Sequence, residues 1–255
     1  MNHAFVEAMV EAGETAESLA ARVGVDPKTA ARWANPGRIP QTRHRAQIAE
    51  ALGRSVSTLW PDALKRREPA WFRPWIDVER EATALRAYQL AWVPGLLQTE
   101  AYARATLTGE MLSAAEVDEL VSARIDRQAI LTRDRAPLFV AVLDEAVLRR
   151  RPAGDRRLMA EQIAHLIDRA ELPSIQIHIV PADAAMYPGM SGPFTIAHLP
   201  DGQQVAHVDS QTHAQIVEQS AELATLDRRW ERIRGEALPR GRSLDLLREV
   251  ATSWT

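Results

Sequence analysis

Cysteine is absent from the 255 residues. Disulfides, thiolate chemistry and cysteine-ligated zinc are thereby excluded, and a reducing interior suits the chain. No apolar run approaches the length of a membrane span or of a signal peptide's hydrophobic region, so the expected location is cytoplasmic, without a membrane partner. Aromatic residues are scarce at 5%, although seven Trp outnumber four Phe and three Tyr. No Gly-rich phosphate loop follows a strand pattern, no Gly-x-Ser-x-Gly elbow occurs, and no two His stand four apart on a helix. The expectation is therefore no enzyme: no catalytic residue, no metal site and no cofactor. Neither sign of charge dominates, with 31 Lys and Arg against 34 Asp and Glu, and the hydrophobic share is 46%. This is the composition of a soluble globular chain long enough for roughly two domains.

What is present is concentrated between Thr15 and Arg45. Thr15 can cap a helix carrying Leu19, Ala20 and Val23 at helical spacing, and Gly24 permits a sharp turn. Asp26 and Pro27 then open a second helix through Ala34, which Asn35, Pro36 and Gly37 stop. On that helix Ala30 and Trp33 fall on one side, while Lys28 and Arg32, four apart, share the other. From Lys28 to Arg45 there are five cations and no Asp or Glu, in a chain of net charge -3. So local a basicity suits a nucleic-acid footprint. As a helix-turn-helix, with Leu19, Val23, Ala30 and Trp33 as its core, the segment would place Lys28, Thr29 and Arg32 at base edges. Arg38, Arg43 and Arg45 would meet phosphates. The competing reading is a common helical packing unit with a solvated cationic face.

Three segments, Leu19-Ala-Ala-Arg-Val-Gly-Val, Lys28-Thr-Ala-Ala-Arg-Trp and Ile48-Ala-Glu-Ala-Leu-Gly, resemble the phage-repressor-like (XRE) regulators. The resemblance covers about the first 60 residues.

Around this motif, Phe5, Val6, Met9 and Val10 predict a first helix, Thr42 a fourth ending at Gly53, and Ser57 a last short turn before Trp60-Pro61. A helix-turn-helix domain over 1–62 is expected, with the charged stretch Asp62 to Pro69 as linker and an α+β domain over 63–255. The second domain opens on Trp71, Phe72 and Trp75, which read as a hydrophobic plug. Asp77 is expected to cap a helix with Val78, Ala82 and Leu85 in register. Pro94-Gly-Leu-Leu-Gln-Thr predicts a turn into a helix around Tyr102, and Ser113 with Glu116 a capping box. Up to that point the domain is expected to be helical. The period then changes. Leu138 to Leu143 and Ile175 to Ile179 read as parallel strands joined by a helix over 155–170, and Phe194 to Leu199 and Val205 to Asp209 as a hairpin turning at Pro200-Asp-Gly. Leu223, Leu226, Trp230 and Ile233 stripe a long helix, and Ser243 can cap a final one. The fold class expected is mainly α with a small mixed β-sheet.

Trp92-Val-Pro-Gly-Leu-Leu-Gln-Thr-Glu-Ala-Tyr-Ala-Arg, Arg127-Gln, Val142-Leu-Asp-Glu-Ala-Val-Leu-Arg, Glu161-Gln-Ile, Glu171-Leu-Pro and Gly192-Pro-Phe resemble an uncharacterised domain. Actinobacterial XRE-type regulators carry it behind their helix-turn-helix. These are Scr-type, antitoxin-like regulators, with the sporulation regulator WhiJ among their relatives. The resemblance implies a transcription regulator encoded beside a small companion protein. Where that family shows an aromatic residue and Glu after the hairpin, this chain has His207, Val208 and Asp209.

Other residues divide between functional and structural readings. His178, His198, His207, Asp209 and His213 fall in or beside strands, where polar strand faces account for them without catalysis, the alternative being a metal or acid/base site in a DNA-tethered enzyme. Arg149 to Arg151 with Arg156 and Arg157 form a second basic cluster or a solvated helix start. Leu96, Leu97 and Tyr102, and the loop with Tyr187 and Met190, are candidate partner anchors; the first three are equally well core, and the loop a bare connector. Three functions compete. The first is a DNA-binding regulator acting as a homodimer on double-stranded DNA, controlled by a companion protein or small-molecule ligand. The others are a protein-binding adaptor and, third, the tethered enzyme.

Overall fold

The computed structural model describes residues 2–35, 38, 40, 42–60, 72–109, 112–150, 156–209 and 214–254. The chain separates into two compact units, Met1–Ala70 and Trp71–Thr255. The linker expected between Asp62 and Pro69, Trp71 of the aromatic plug, and His213 lie outside the described residues.

The first unit contains α1 (His3–Glu11), α2 (Ala16–Val23), α3 (Pro27–Arg32), α4 (Thr42–Ala51) and α5 (Val56–Leu59). Local chemistry sets most of these limits. Asn2 caps α1 by accepting from Phe5 N, Thr15 and Ser18 form a reciprocal capping box on α2, and Gly24 ends α2 in the left-handed region at φ 73°. Ser55, rather than Ser57, caps α5, accepting from Thr58 N at 3.1 Å. The side chain of Ser57 lies outside the described residues, as do Pro36 and Gly37, expected to stop α3. The apolar faces of the helices meet in one core that includes Phe5, Leu19, Val23, Ala30, Trp33, Ile48, Leu59 and Trp60. The rings of Phe5 and Trp60 lie 5.2 Å apart, and Asn2 closes the unit by donating from Nδ2 to Leu59 O at 2.8 Å.

The second unit is α+β. Its elements are α6 (Arg73–Glu81), β1 (Ala84–Gln89), α7 (Glu100–Leu107), α8 (Ala114–Arg127), β2 (Leu138–Asp144), α9 (Glu145–Arg149), α10 (Arg156–Ala170), β3 (Ile175–Val180), β4 (Phe194–His198), β5 (Gln204–Asp209), β6 (Ala214–Val217), α11 (Ser220–Glu236) and α12 (Arg240–Trp254). The strands form one mixed sheet ordered β3-β2-β1-β4-β5-β6, with β1, β2 and β3 parallel and the rest antiparallel. Two expectations change here. The helix expected from Asp77 through Leu85 ends at Glu81, Asp77 lies inside it, and Leu85 belongs to β1 near the middle of the sheet. The second unit is thus not purely helical before Leu138. The Ala and Arg of Ala84-Leu-Arg-Ala-Tyr-Gln favour helix locally, and tertiary burial overrides them. Strand β6 was also not anticipated; four residues are too few to display a period.

Alternation along the strands creates two cores. Leu85, Phe139, Ala141, Leu143, Ile177 and Ala197 face α10 and α12, while Tyr88, Val140, Val142, Phe194, Ile196 and Ala206 face Leu223, Leu226, Trp230 and Ile233 of α11. The continuous apolar run of β2 is therefore buried on both sides, as a central parallel strand requires.

Ser243 does not cap α12. Its side chain is fully buried inside the first turn, accepts from Ile179 N at 3.0 Å and donates to Leu238 O at 3.0 Å, while Leu238 N donates to Ile179 O at 2.8 Å. These bonds occupy the outer edge of β3, where a ladder partner would otherwise be needed. Ser243→Ala should leave Ile179 N–H unsatisfied, costing about 1–3 kcal/mol, and lower the urea midpoint without changing the slope of the transition. Trp33→Ala should cost about 3–5 kcal/mol in the first unit, read as loss of that unit's transition while the second survives.

Candidate nucleic-acid interface

Helix α3 is positioned by its own sequence. The turn at Gly24 reverses the chain, Asp26 accepts from Lys28 N at 2.8 Å, and Pro27 occupies the first turn, where a missing N–H costs nothing. Ala30 is 1% and Trp33 5% exposed. Lys28 and Arg32 are exposed on the opposite side, and Thr29 and, beyond the helix, Arg38 are exposed as well. Leu19 and Val23 are buried beneath. The six residues of α3 make less than two turns, so its exposed cationic surface is confined to this one patch. Arg45 differs from the others: it is half-buried, and its Nε donates to Pro40 O at 2.7 Å. It braces the turn before α4 as well as carrying charge. The side chain of Arg43 lies outside the described residues.

In the second unit, most of the candidate partner anchors prove to be core. Leu96 is 5%, Leu97 0% and Tyr102 4% exposed. The motif Pro94 to Thr99 is instead a polar clamp within the fold. Gln162, fully buried, accepts from Thr99 N and donates to Leu97 O, both at 2.8 Å. Gln98 donates to Val93 O at 2.6 Å and accepts from Arg124 at 2.8 Å, and Gln128 donates to Gly95 O and Gln98 O. Amide side chains that satisfy irregular backbone in this way allow the loop to be buried. The quoted sequence patterns contained Gln98, Gln128 and Gln162, but nothing in the pattern paired them.

Tyr187 is likewise buried, donating to Asp144 Oδ2 at 2.5 Å, with Tyr88 Oη 2.8 Å from its hydroxyl. Burial pushes the Tyr88 hydroxyl up to about 12, and that of Tyr187 well above the usual phenol range. Gly189 packs so closely on these two rings that a Cβ there would fall 2.3 Å from Tyr187. The loop is therefore pinned from below, and from it Met190 projects 61% exposed, with Met186 at 92% just before it.

His207 and Asp209, 3.5 Å apart, belong to an aromatic and ionic cluster. The His207 ring lies 5.2 Å from Phe72 and 5.1 Å from Trp75. Arg127, over the Phe72 ring at 4.6 Å, pairs with buried Glu79 at 3.0 Å. His207 is only 5% exposed, so its ring packs within the cluster, while the side chain of Asp209 is 47% exposed. Of the second basic cluster, Arg149 pairs with Glu145, Arg156 donates to Ser253 O, and Arg151 lies outside the described residues. Among the described residues, no three His, Asp or Glu group as metal ligands, and no helix is long and apolar enough to cross a membrane.

Residues 72–249 match a family model described as a domain of unknown function, DUF5753. The match covers more than half of the chain, which therefore belongs to that family. No curated protein and no solved structure matches it.

Burial lowers the pKa of His207 below its ordinary value of 6.5, with Arg127 acting in the same direction and Asp209 against it. The unfolded chain binds this proton near pH 6.5 while the folded chain does not, so the contribution to stability is complete above that pH and lost as pH falls below it. His165 and His198 are shifted the same way. Urea midpoints should therefore drop between about pH 7.5 and about pH 5.5, and His207→Gln should flatten part of that slope. An unchanged slope in the variant would assign the acid sensitivity elsewhere.

Proposed function

We propose that this chain is a sequence-specific, double-stranded-DNA-binding transcription regulator, antitoxin-like, whose activity is set by a small companion protein or ligand on the second unit. One observation carries the reading. Lys28 and Arg32 stand exposed on α3, opposite the buried Ala30 and Trp33, with Thr29 exposed beside them, so cations are presented on a helix whose other side is fixed by packing. A recognition helix needs that arrangement, with Arg32 able to hold a guanine bidentately and Arg38 suited to phosphate. The resemblance of the first 60 or so residues to the XRE regulators supports the same assignment.

A single small module spans one half-site, and specific affinity usually comes from two copies related by a two-fold axis. The reading therefore includes a homodimer. For a companion protein, the exposed Met186 and Met190 beside the pinned Tyr187 are the suitable anchors, since methionine adapts to a partner's contour while the loop beneath stays fixed. No catalytic role is proposed: His207 is enclosed by rings, which leaves a substrate little access.

Binding sites can be selected from random duplexes with the full chain, and affinity measured on the selected site and on unrelated DNA. Arg32→Ala should cost about 1–3 kcal/mol on the selected site and relax one base position. Arg38→Ala should weaken both DNAs alike and reduce the salt dependence. Unchanged specific affinity in Arg32→Ala would remove α3 as the reading element. Light scattering of the free protein should give the mass of two chains; a monomer at tens of micromolar would overturn the dimer.

A further inference from the structure

The apolar layer between the sheet and α11 does not run the length of the strands. Along β1, β4 and β5, positions two apart share a face, so Tyr88, Ile196 and Ala206 are followed on the α11 side by Arg86, His198 and Gln204. The register places Arg86 opposite Ile196 and His198 opposite Gln204. Helix α11 presents Asp227, Glu231 and Arg232 there, on the same turns as its buried Leu226, Trp230 and Ile233 but beside that stripe. Together these six line a groove of about 490 Å³. It is the point in this layer where hydrophobic contact is replaced by charge.

The polar groups of the groove are incompletely matched to one another. Arg86 reaches Asp227 only at 3.5 Å, the outer limit of a hydrogen bond, and both side chains remain one-third exposed. His198 Nε2 is buried without a hydrogen-bond partner among the described residues. Burial and the neighbouring Arg86 lower the pKa of His198, which favours the neutral imidazole, with one nitrogen free to donate and the other to accept. Buried polar groups are normally satisfied, and here that requirement is unmet at His198 Nε2, while two cations, an amide and two carboxylates converge on the same groove from β1, β5 and α11. Arg228, also on the rim, is turned toward Thr225, to which it donates at 3.0 Å.

We propose that this groove binds a small anion that also carries a hydrogen-bond donor. Its anionic oxygens accept from Arg86, Gln204 and Arg232, and its own hydroxyl donates to Asp227 or Glu231. A phosphoryl group with an O–H and a hydroxycarboxylate both have this chemistry. The inference rests on the regulatory reading of the second unit only for its consequence, a change in DNA affinity; binding itself is measured without DNA.

The test is a titration of the full chain with inorganic phosphate, glycolate or acetate, following the His198 ring signals by NMR. Saturable shifts with phosphate identify a phosphoryl ligand, and with glycolate a hydroxycarboxylate; either supports the site. Acetate, which lacks the donor, should bind about tenfold more weakly than the better of the two, and equal binding would overturn the paired chemistry. Arg86→Gln should weaken binding about tenfold or more. Arg232→Gln, at an exposed helical position, should weaken it in the same direction, whereas Arg248→Gln, in an exposed pair outside the groove, should not. No saturable shift with any of the three anions, or an affinity in Arg86→Gln and Arg232→Gln equal to that of the unaltered chain, would overturn the proposal. Saturable binding that leaves DNA affinity unchanged would instead keep the site and remove its regulatory consequence.

Discussion

Strand β2 must be buried on both faces, and the second unit is arranged to meet that requirement. Phe139, Ala141 and Leu143 point one way and Val140 and Val142 the other, so no single helical layer can cover them. Helices α10 and α12 cover one side and α11 the other, and the parallel neighbours β1 and β3 supply hydrogen bonds that solvent cannot reach. A sheet built this way still has edges. At β3 the segment from Leu238 to Ser243 occupies the donor and acceptor of Ile179, which both satisfies the backbone and denies that edge to another chain. The serine at the start of α12 thus serves the sheet more than the helix.

The same requirement explains the clamp at Pro94 to Thr99. The residues leaving β1 must pass beneath α7 and α8 as irregular chain, and buried irregular backbone has no ladder to join. Gln98, Gln128 and Gln162 take the place of the ladder, each bonding to main-chain groups of the loop. An amide suits this task because one end accepts and the other donates, with no charge to desolvate. The distinctiveness of the motif in sequence comes from this geometric demand, since the side chains that would have formed a partner surface, Leu96, Leu97 and Tyr102, are enclosed by it.

How much of this was legible in the sequence depended on the range of the interactions. Helices α2 and α3 and the turn between them were readable because their determinants are local: Thr15 with Ser18, Gly24, and Asp26 with Lys28. Strands β2 and β3 and the β4–β5 hairpin were readable for similar reasons, through apolar runs, alternation and a turn at Gly202 with φ 86°. Strand β1 was not, because Ala84 to Gln89 becomes a strand only through β2 and β4, whose residues lie far along the chain. Nor was Ser55 distinguishable from Ser57 as a cap, both being serines ahead of the same turn. The groove lay further still from view: Arg86 and Asp227 are 141 residues apart, and no local pattern joins them.

In the proposed regulatory reading the second unit senses and the first binds, and the two candidate sensing surfaces differ in what they can transmit. The loop of Met186 and Met190 is anchored through Tyr187 to Asp144, which also caps α9 by accepting from Ala146 N at 2.8 Å. A protein docking there meets a surface already fixed, so it acts by adding bulk or charge rather than by changing shape. The groove behaves otherwise. Arg86 and Asp227 are held to each other loosely, and β1 and α11 approach there through polar side chains instead of packed apolar ones. An anion drawn between them replaces a long ion pair with charge-assisted hydrogen bonds on both elements, and so tightens a contact between the sheet and its covering helix. A ligand can shift a protein only by its differential affinity for two arrangements. On the proposed reading such a difference would act at the groove beside α11, where polar side chains take the place of close apolar packing between β1 and the helix.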